Sequence, residues 1–430
     1  MNIFILGNGF DLAHYLPTAY NDFMYVMRSI IDTQKNEMTF DDLFEEENSN
    51  IIEGTKKLYK TEEVKLDKEK LESFKKISEN CWFNYFNSKT TQNINTWIDF
   101  ESEIKFALSS LCEFIQIVNT LNEPINISYL DRCRDIKYAS IYKELLLDLK
   151  IIEQLKYKKL ENSYENSEYT FVGTTQKEFK LSNINYQINY GGSNLLRLNA
   201  QEIFNDLLKG LRGFNKFFYS YIEDIIDQLT LNVKENINLL GNNLAIYDNN
   251  IFYSFNYSKT VENLYKEYLN GFNPSYDIYH IHGPSLELDN TNNIVLGIDN
   301  VDDNLKPFNI FGFTKEHQKM MFNTDRFFYS PSDISSDNII RKALTGESRI
   351  IVFGHSLDIS DRIYIERIFK LLNIYENSQN VRLKLMILYH NEDSKCSLLN
   401  NLIKIMGDQV YKFYEKDMII FEKLQSINVS

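Results

Sequence analysis

Cysteine is scarce: the 430 residues hold only Cys81, Cys112, Cys133 and Cys396. None falls in a C-x-x-C pair or a metal-ligand spacing, which argues against a disulfide scaffold or a zinc ribbon and favours a reduced, cytoplasmic protein. Long apolar runs are missing too. None approaches the roughly 20 residues needed to cross a bilayer, and the start of the chain lacks a basic n-region. No membrane partner is expected. Positive charge is in deficit, with 46 Lys and Arg against 60 Asp and Glu, a formal charge of -14. Such a field disfavours an extended nucleic-acid surface but leaves small anionic ligands open, because helix N-termini bind phosphate without net positive charge. There is no G-x-x-x-x-G-K-[ST], hence no P-loop. Gly7-x-Gly9 lacks the third glycine of a dinucleotide fingerprint, since Leu12 stands in its place, so an ordinary hydride-transferring enzyme is not indicated.

What is present begins with a core. A hydrophobic content of 43% and an aromatic content of 14% exclude wholesale disorder. "NIFIL", "GNG" and "YNDFMYVMRSIID" read as strand, glycine turn and helix. From about residue 32 to 95 the composition shifts to Lys, Glu and Asn, which reads as a solvated helical stretch with patches such as "LESFKKI". "NTWIDFESEIKFALSSLCEFIQIV" is a stronger helix, with Thr96 as N-cap and the acids Asp99 and Glu101 favouring its start through the helix dipole. Helical patterns continue in "IYKELLLDLKIIEQLKY", pause at "ENSYENSEYTFVGTTQKEF" in a loop or small sheet, and resume in "AQEIFNDLLKGLRGFNKFFYSYIEDIIDQL". Beyond about residue 245, β-rich runs appear: "NIFYSF", "YDIYHIH", "NIVLGI", "RIIVFG" and "VRLKLMILY". Strands alternating with helices imply a largely parallel α/β sheet. The economical arrangement is one α/β core made from both chain ends, 1–33 and 246–430, around a mostly α-helical insertion at 34–245.

Four polar clusters follow four of the apolar runs. They are Gly7-Asn8-Gly9 with Asp11, Asn256-Tyr257-Ser258, His280-Ile281-His282-Gly283, and Gly354-His355-Ser356-Leu357. In an open parallel sheet the loops beyond the strands' carboxyl ends line the ligand crevice, so four such loops point to one shared site. Each signal has a plain alternative. The glycines equally suit a tight strand-to-helix turn, and Asn256 an Asx turn. His280 and His282, two apart on an expected strand, would share a face; packing for one and a site role for the other is favoured over metal binding. "GHSLD" is close to the G-x-S-x-G elbow of serine hydrolases, with an acid and His390 following Ser356 in the right order, but Asp358 replaces the last glycine.

Together, "ILGNGFDLAHYLPTAYNDF", "SFNYSKTVE", "HIHG" and "VFGHSLDISD" resemble the bacteriophage abortive-infection AbiH family, which implies a role in phage defence. The order of the clusters is more distantly similar to the sirtuin-like, Rossmann-like fold, including relatives that hydrolyse NAD in antiphage defence. Pro17 matches that pattern's proline by its offset from Gly7, whereas Asp11, Thr18 and Tyr20 depart from it. No paired zinc cysteines accompany the motifs, so the deacetylase branch is not implied. What the resemblance implies is an NAD glycohydrolase that takes NAD as substrate and needs no other cofactor. Asn256 and His282 would be catalytic. Gly7, Asn8, Gly9, Asp11, Pro17, Gly354, His355, Ser356 and Asp361 would bind the nucleotide, the Gly7–Gly9 turn holding its pyrophosphate. The alternatives are a nucleotide-binding sensor without turnover and a serine hydrolase using Ser356. A phage trigger, a second copy of the chain or the product of a neighbouring gene are the partners such a system would call for.

Overall fold

The five residues Asn2–Leu6 form a strand, β1, of which every residue is buried. Burial on both faces explains its unbroken apolar character, the mark of a parallel strand covered on both sides. β1 pairs in parallel with β2 (Asn250–Ser254) on one side and with β4 (Gly346–Phe353) on the other. β3 (Asp277–His280) extends the sheet beyond β2. β5 (Val381–Tyr389) and β6 (Ile419–Lys423) extend it beyond β4. The computed structural model from which these pairings come describes residues 2–47, 49–89, 97–120, 139–154, 179–188, 197–234, 250–265, 277–283, 294–322, 324 and 346–424. Its six-stranded sheet has the order β3-β2-β1-β4-β5-β6, with all pairs parallel. This is the doubly wound order, and its topological switch point lies between β1 and β4.

Alternate residues of each strand face opposite layers. Phe4, Leu6, Phe252, Ile351 and Phe353 belong to one apolar core, in which the Phe4 and Phe252 rings stack 4.7 Å apart. Ile3, Ile5, Ile251, Tyr253, Ile350 and Val352 belong to the other. That second core is closed by α6 (Arg362–Tyr375), α7 (Glu392–Met406) and the helix Gln409–Glu415, through Ile365, Phe369, Leu402 and Phe413.

The first core is covered by helices that precede β2. After the short α1 (Asn8–Ala13), α2 (Tyr20–Asp32) buries Tyr20, Phe23, Met24, Met27 and Ile30, the stripe expected of an amphipathic helix. α3 (Trp97–Thr120) and α4 (Ala200–Tyr221) run where helical patterns are expected. Thr96 and almost all of "ENSYENSEYTFVGTTQKEF" lie outside the described residues. The stretch from 32 to 95 is less solvated than its composition suggests: Phe40, Phe44, Trp82 and Phe86 are fully buried, and the Trp82 indole donates to the Leu207 carbonyl at 2.8 Å. Its aromatics, Phe74, Phe83 and Tyr85 among them, are buried, and among the described residues none of its charged side chains is. "IYKELLLDLKIIEQLKY" holds a helix only as far as Asp148. Lys150 turns the chain with φ +55°, and Ile152–Gln154 pairs with Phe179–Leu181.

"NIVLGI" is not a strand. The Gln318 side chain accepts from the Leu296 N–H at 2.9 Å and donates to the Leu296 carbonyl at 3.1 Å, doing the work of a neighbouring strand. Among the described residues there, 294–298, a single bridge is formed, Ile298 to Thr314. Among the described residues no helix is long and apolar enough to cross a membrane.

Candidate functional site

At the switch point, the turn after β1 packs directly on the turn after β4. The Gly7 N–H donates to the Phe353 carbonyl and the Gly9 N–H to the Gly354 carbonyl, at 3.1 and 2.9 Å. A Cβ on Gly7 would sit 2.5 Å from the His355 Cα, and one on Gly9 2.7 Å from the Gly354 Cα. Gly354 has φ +70°, and a Cβ there would lie 2.0 Å from the Phe10 nitrogen. These glycines are therefore explained by two turns in backbone contact. The Phe10 N–H is also taken, by the Gly7 carbonyl at 2.8 Å. The N–H groups of Gly7, Gly9 and Phe10 are thus occupied by the protein itself, which leaves the expected pyrophosphate cradle at this turn without those three donors.

Beside these turns lies a cavity of about 280 Å³. Gly7, Asn8, Gly354, His355 and Ser356 line it, as do His282 and Asp361. At its centre the buried Asp361 carboxylate meets two imidazoles. Its Oδ2 is 3.3 Å from His355 Nε2, and its Oδ1 is 3.5 Å from His282 Nε2. The Leu357 N–H donates to His355 Nδ1 at 3.0 Å, so the His355 proton sits on Nε2 and points at the carboxylate. His282 Nε2 and Asp361 Oδ1 are buried and have no hydrogen-bond partner among the described residues. Burial alone would raise the Asp361 pKa. The His282 and His355 contacts and the Lys315 charge override it and hold the carboxyl well below the usual range. Burial, reinforced by the Lys319 ammonium, pushes His282 down to about 3 against the pull of Asp361. At neutral pH the pair is therefore a neutral imidazole beside an ionised carboxylate. Phe255 fixes the rings, meeting His282 and His355 edge-on with centroids 5.1 and 4.5 Å away.

Four expected site residues do not line this cavity: Gly9, Asp11, Pro17 and Asn256. Asp11 Oδ2 accepts from the Ser258 hydroxyl at 2.6 Å, tying α1 to the loop after β2. Burial raises its pKa to about 6, against hydrogen bonds from Ser258, Thr260 and Asn256. The Asn256 side chain also faces Asp11, while its Oδ1 is buried with no hydrogen-bond partner among the described residues. Pro17 offers its carbonyl to the Tyr221 hydroxyl. The two histidines of "HIH" do not share a face, because β3 ends at His280. His280 Nε2 turns to Glu262 Oε1 at 2.6 Å, while His282, beyond the strand, enters the cavity. Among the described residues no three His, Cys, Asp or Glu side chains are arranged to hold a metal ion.

A π-helical turn, Ile222–Ile226, follows α4 and delivers Asp227 to the same loop, where it accepts from the Lys259 N–H at 2.8 Å. Burial lifts the Asp227 pKa to about 7, against the Lys259 N–H and its charge. A carboxyl whose folded pKa lies above its unfolded value contributes stability at low pH. That contribution falls as pH rises from about 4 through 7, by at most about 1.4 kcal/mol per pH unit. Asp227→Asn keeps the acceptor oxygen without the titration. Its melting temperature relative to the parent is expected to rise between pH 5 and pH 8 in thermal unfolding followed by circular dichroism; a constant difference would rule out a proton on Asp227.

The family's sequence profile covers residues 3–208 and 198–382, so the match spans both the β1 turn and the Asp361 loop. The chain belongs to the bacteriophage abortive infection AbiH family. Neither a curated protein nor a solved structure matches it. Family membership carries an antiphage, abortive-infection role.

Within this AbiH chain, sequence reasoning missed several cavity residues. Glu101, read as a dipole partner of α3, lines the cavity with Lys315 of α5 (Lys315–Phe322). Their buried side chains form an ion pair of 2.7 Å. Burial pushes Glu101 up to about 7 despite Lys315. Against its own burial, Lys315 is kept protonated by Glu101 and Asp361. Tyr20, Phe255 and Tyr257 also line the cavity. The serine-hydrolase alternative loses support. Ser356 lines the cavity, yet its φ is negative and the left-handed residue is Leu357 at +52°, so the strained elbow is absent. Among the described residues no hydrogen bond joins Ser356 to His390; Ser356 offers only its carbonyl, to Asn401.

Proposed function

We propose that this AbiH-family protein is an antiphage enzyme that hydrolyses the bond between nicotinamide and ribose in NAD. The observation that carries the reading is the His282–Asp361–His355 cluster, buried in a cavity at the sheet's switch point, where doubly wound folds bind nucleotides. Nicotinamide departs as a neutral molecule and leaves a cation-like ribose, so the reaction calls for a fixed negative charge and a held water. Asp361, ionised and buried, supplies the charge. Neutral His282 takes the proton from the water as its oxygen joins the ribose C1′ and the C1′–N bond electrons leave with nicotinamide. His355 holds Asp361 in place through its Nε2–H. Asn256 acts through the Asp11 contact that shapes the loop, in place of the direct ribose contact that the sirtuin-like pattern implies. The order of the four motif loops, similar to that of NAD-hydrolysing defence proteins, supports the same substrate.

The test is chromatography of nicotinamide and ADP-ribose after incubation of purified protein with NAD. The parent protein is expected to release both in equal amounts, and His282→Ala, checked for folding by circular dichroism, to be slower by about a hundredfold or more. NAD that binds and stays intact would replace this reading with the sensor. NAD that neither binds nor breaks would end it.

A further inference from the structure

The cavity holding His282 is small for a dinucleotide: its 280 Å³ lies below the roughly 300–1,000 Å³ common for ligand sites. A second cavity of about 530 Å³ adjoins it, and Lys315 and Ser360 line both. Lys319, one helical turn beyond Lys315 on α5, lines the second cavity. Its buried ammonium lies 3.8 Å from Asp361 and 4.5 Å from the centre of the Tyr364 ring. Two lysines therefore stand where the cavities meet.

The rest of the second cavity is of two kinds. Ile359, Ile363 and Met320 give it an apolar strip that is 42, 38 and 68% exposed, unusual for large aliphatic residues beside a cavity. Asp299 and Asn300 give it acceptors, and Asp299 Oδ1 is buried with no hydrogen-bond partner among the described residues. A ribonucleoside has the matching parts: a flat base for the strip and ribose hydroxyls that donate to a carboxylate.

We propose that the two cavities are one bipartite site in which Lys315 and Lys319 hold the diphosphate bridge of a dinucleotide. The scissile end then lies against His282 and Asp361, and the second nucleoside fills the larger cavity. This rests on the reading of the first cavity as the site of N-glycosyl cleavage. It puts the anion on α5 instead of the turn after β1, whose Gly7, Gly9 and Phe10 N–H groups are already bonded. Each ammonium carries three N–H donors, and each already faces one carboxylate, Lys315 that of Glu101 and Lys319 that of Asp361. Arg362 also lines the second cavity but is exposed and paired with Glu366 at 2.6 Å.

Isothermal titration with ADP-ribose at low and moderate salt tests the proposal. Lys319→Gln is expected to weaken binding about ten- to a hundredfold and to flatten its salt dependence, and Lys319→Arg to retain most of the affinity. Ile363→Glu, at a partly exposed position that tolerates charge in the fold, is expected to weaken binding as well. ADP-ribose binding that is absent from the parent, or equal in Lys319→Gln and Ile363→Glu, overturns the bipartite site. Nicotinamide release is scored separately. ADP-ribose bound through Lys319 without any NAD cleavage keeps this site and removes the chemistry. Cleavage with ADP-ribose binding indifferent to both substitutions keeps the chemistry and removes this site.

Discussion

Asp361→Asn is expected to reduce nicotinamide release by at least about a hundredfold while leaving ADP-ribose affinity undiminished. The amide keeps the shape of the carboxylate and can still accept from His355 Nε2–H, so the loop holds its path. What disappears is the negative charge that, in the proposed reaction, stabilises a cation-like ribose and the proton gained by His282. The lysines at 315 and 319 lose a counter-charge, which leaves more positive potential for a diphosphate. The same loss has a structural cost. Removing one partner from buried charges destabilises by about 3–5 kcal/mol, and the contact of Lys319 with the Tyr364 ring offsets part of this. The pH signature follows from the depressed Asp361 pKa. The stability it contributes is complete above the unfolded carboxyl value near 4 and is lost as pH falls through the folded value. The parent's advantage over Asp361→Asn in urea unfolding should thus be level from pH 5 to 8 and shrink below 4. Unaltered NAD cleavage by a folded Asp361→Asn would remove the carboxylate from the reaction.

Gly354→Ala is expected to cost the most stability of any single methyl added to this protein. The new Cβ would meet the backbone of Phe10 and Gly9 at 2.0 and 2.3 Å, and backbone cannot swing aside as a side-chain end can. Relief means separating the β4 turn from the β1 turn, across hydrogen bonds that continue the sheet. The left-handed φ adds about 1–2 kcal/mol of its own. Overpacking typically adds about 1–3 kcal/mol and here more. A total above about 4 kcal/mol is expected by urea denaturation, with loss of any ligand binding. Gly346→Ala is the control: it shares the positive φ at +57°, but nothing lies within 4 Å of its new methyl. It should show the backbone penalty alone. Equal losses at the two positions would deny that the turns touch.

The parallel sheet and the convergence of its loops were legible because each strand ends in an abrupt change of residue type, as at Leu6–Gly7 and Phe353–Gly354. His282 and His355 stood out for the same reason, whereas Asp361 came only with the family resemblance. Glu101 and Lys315 did not, since neither sits behind a strand. Glu101 occupies an early turn of a helix, where an acid has an ordinary explanation, and only the approach of α5 makes it a cavity residue. Lys315 and Lys319 carry a weak local sign, two lysines one helical turn apart, but surface helices are full of such pairs. Asp11 and Asn256 misled in the opposite direction. Polar residues after a strand are equally suited to a ligand and to a neighbouring loop, and here Asp11 is taken by Ser258 with Asn256 beside it. "NIVLGI" had the composition of a strand, and a glutamine side chain took the place of the strand's neighbour.

Placing residues 2–6 in the middle of the sheet also sets a schedule. β1 finds its neighbours only at residues 250–254 and 349–353. At about 5–20 residues per second of synthesis, it waits roughly 12–50 seconds for the first and 17–70 seconds for the second. Long-range parallel pairing of this kind is slow to nucleate, and the helices between must fold without the sheet they will cover. His282, His355 and Asp361 meet only when β4 closes on β1. A chain cut short before residue 346 therefore carries no assembled centre, and the three side chains come together only after more than four-fifths of the sequence has been made.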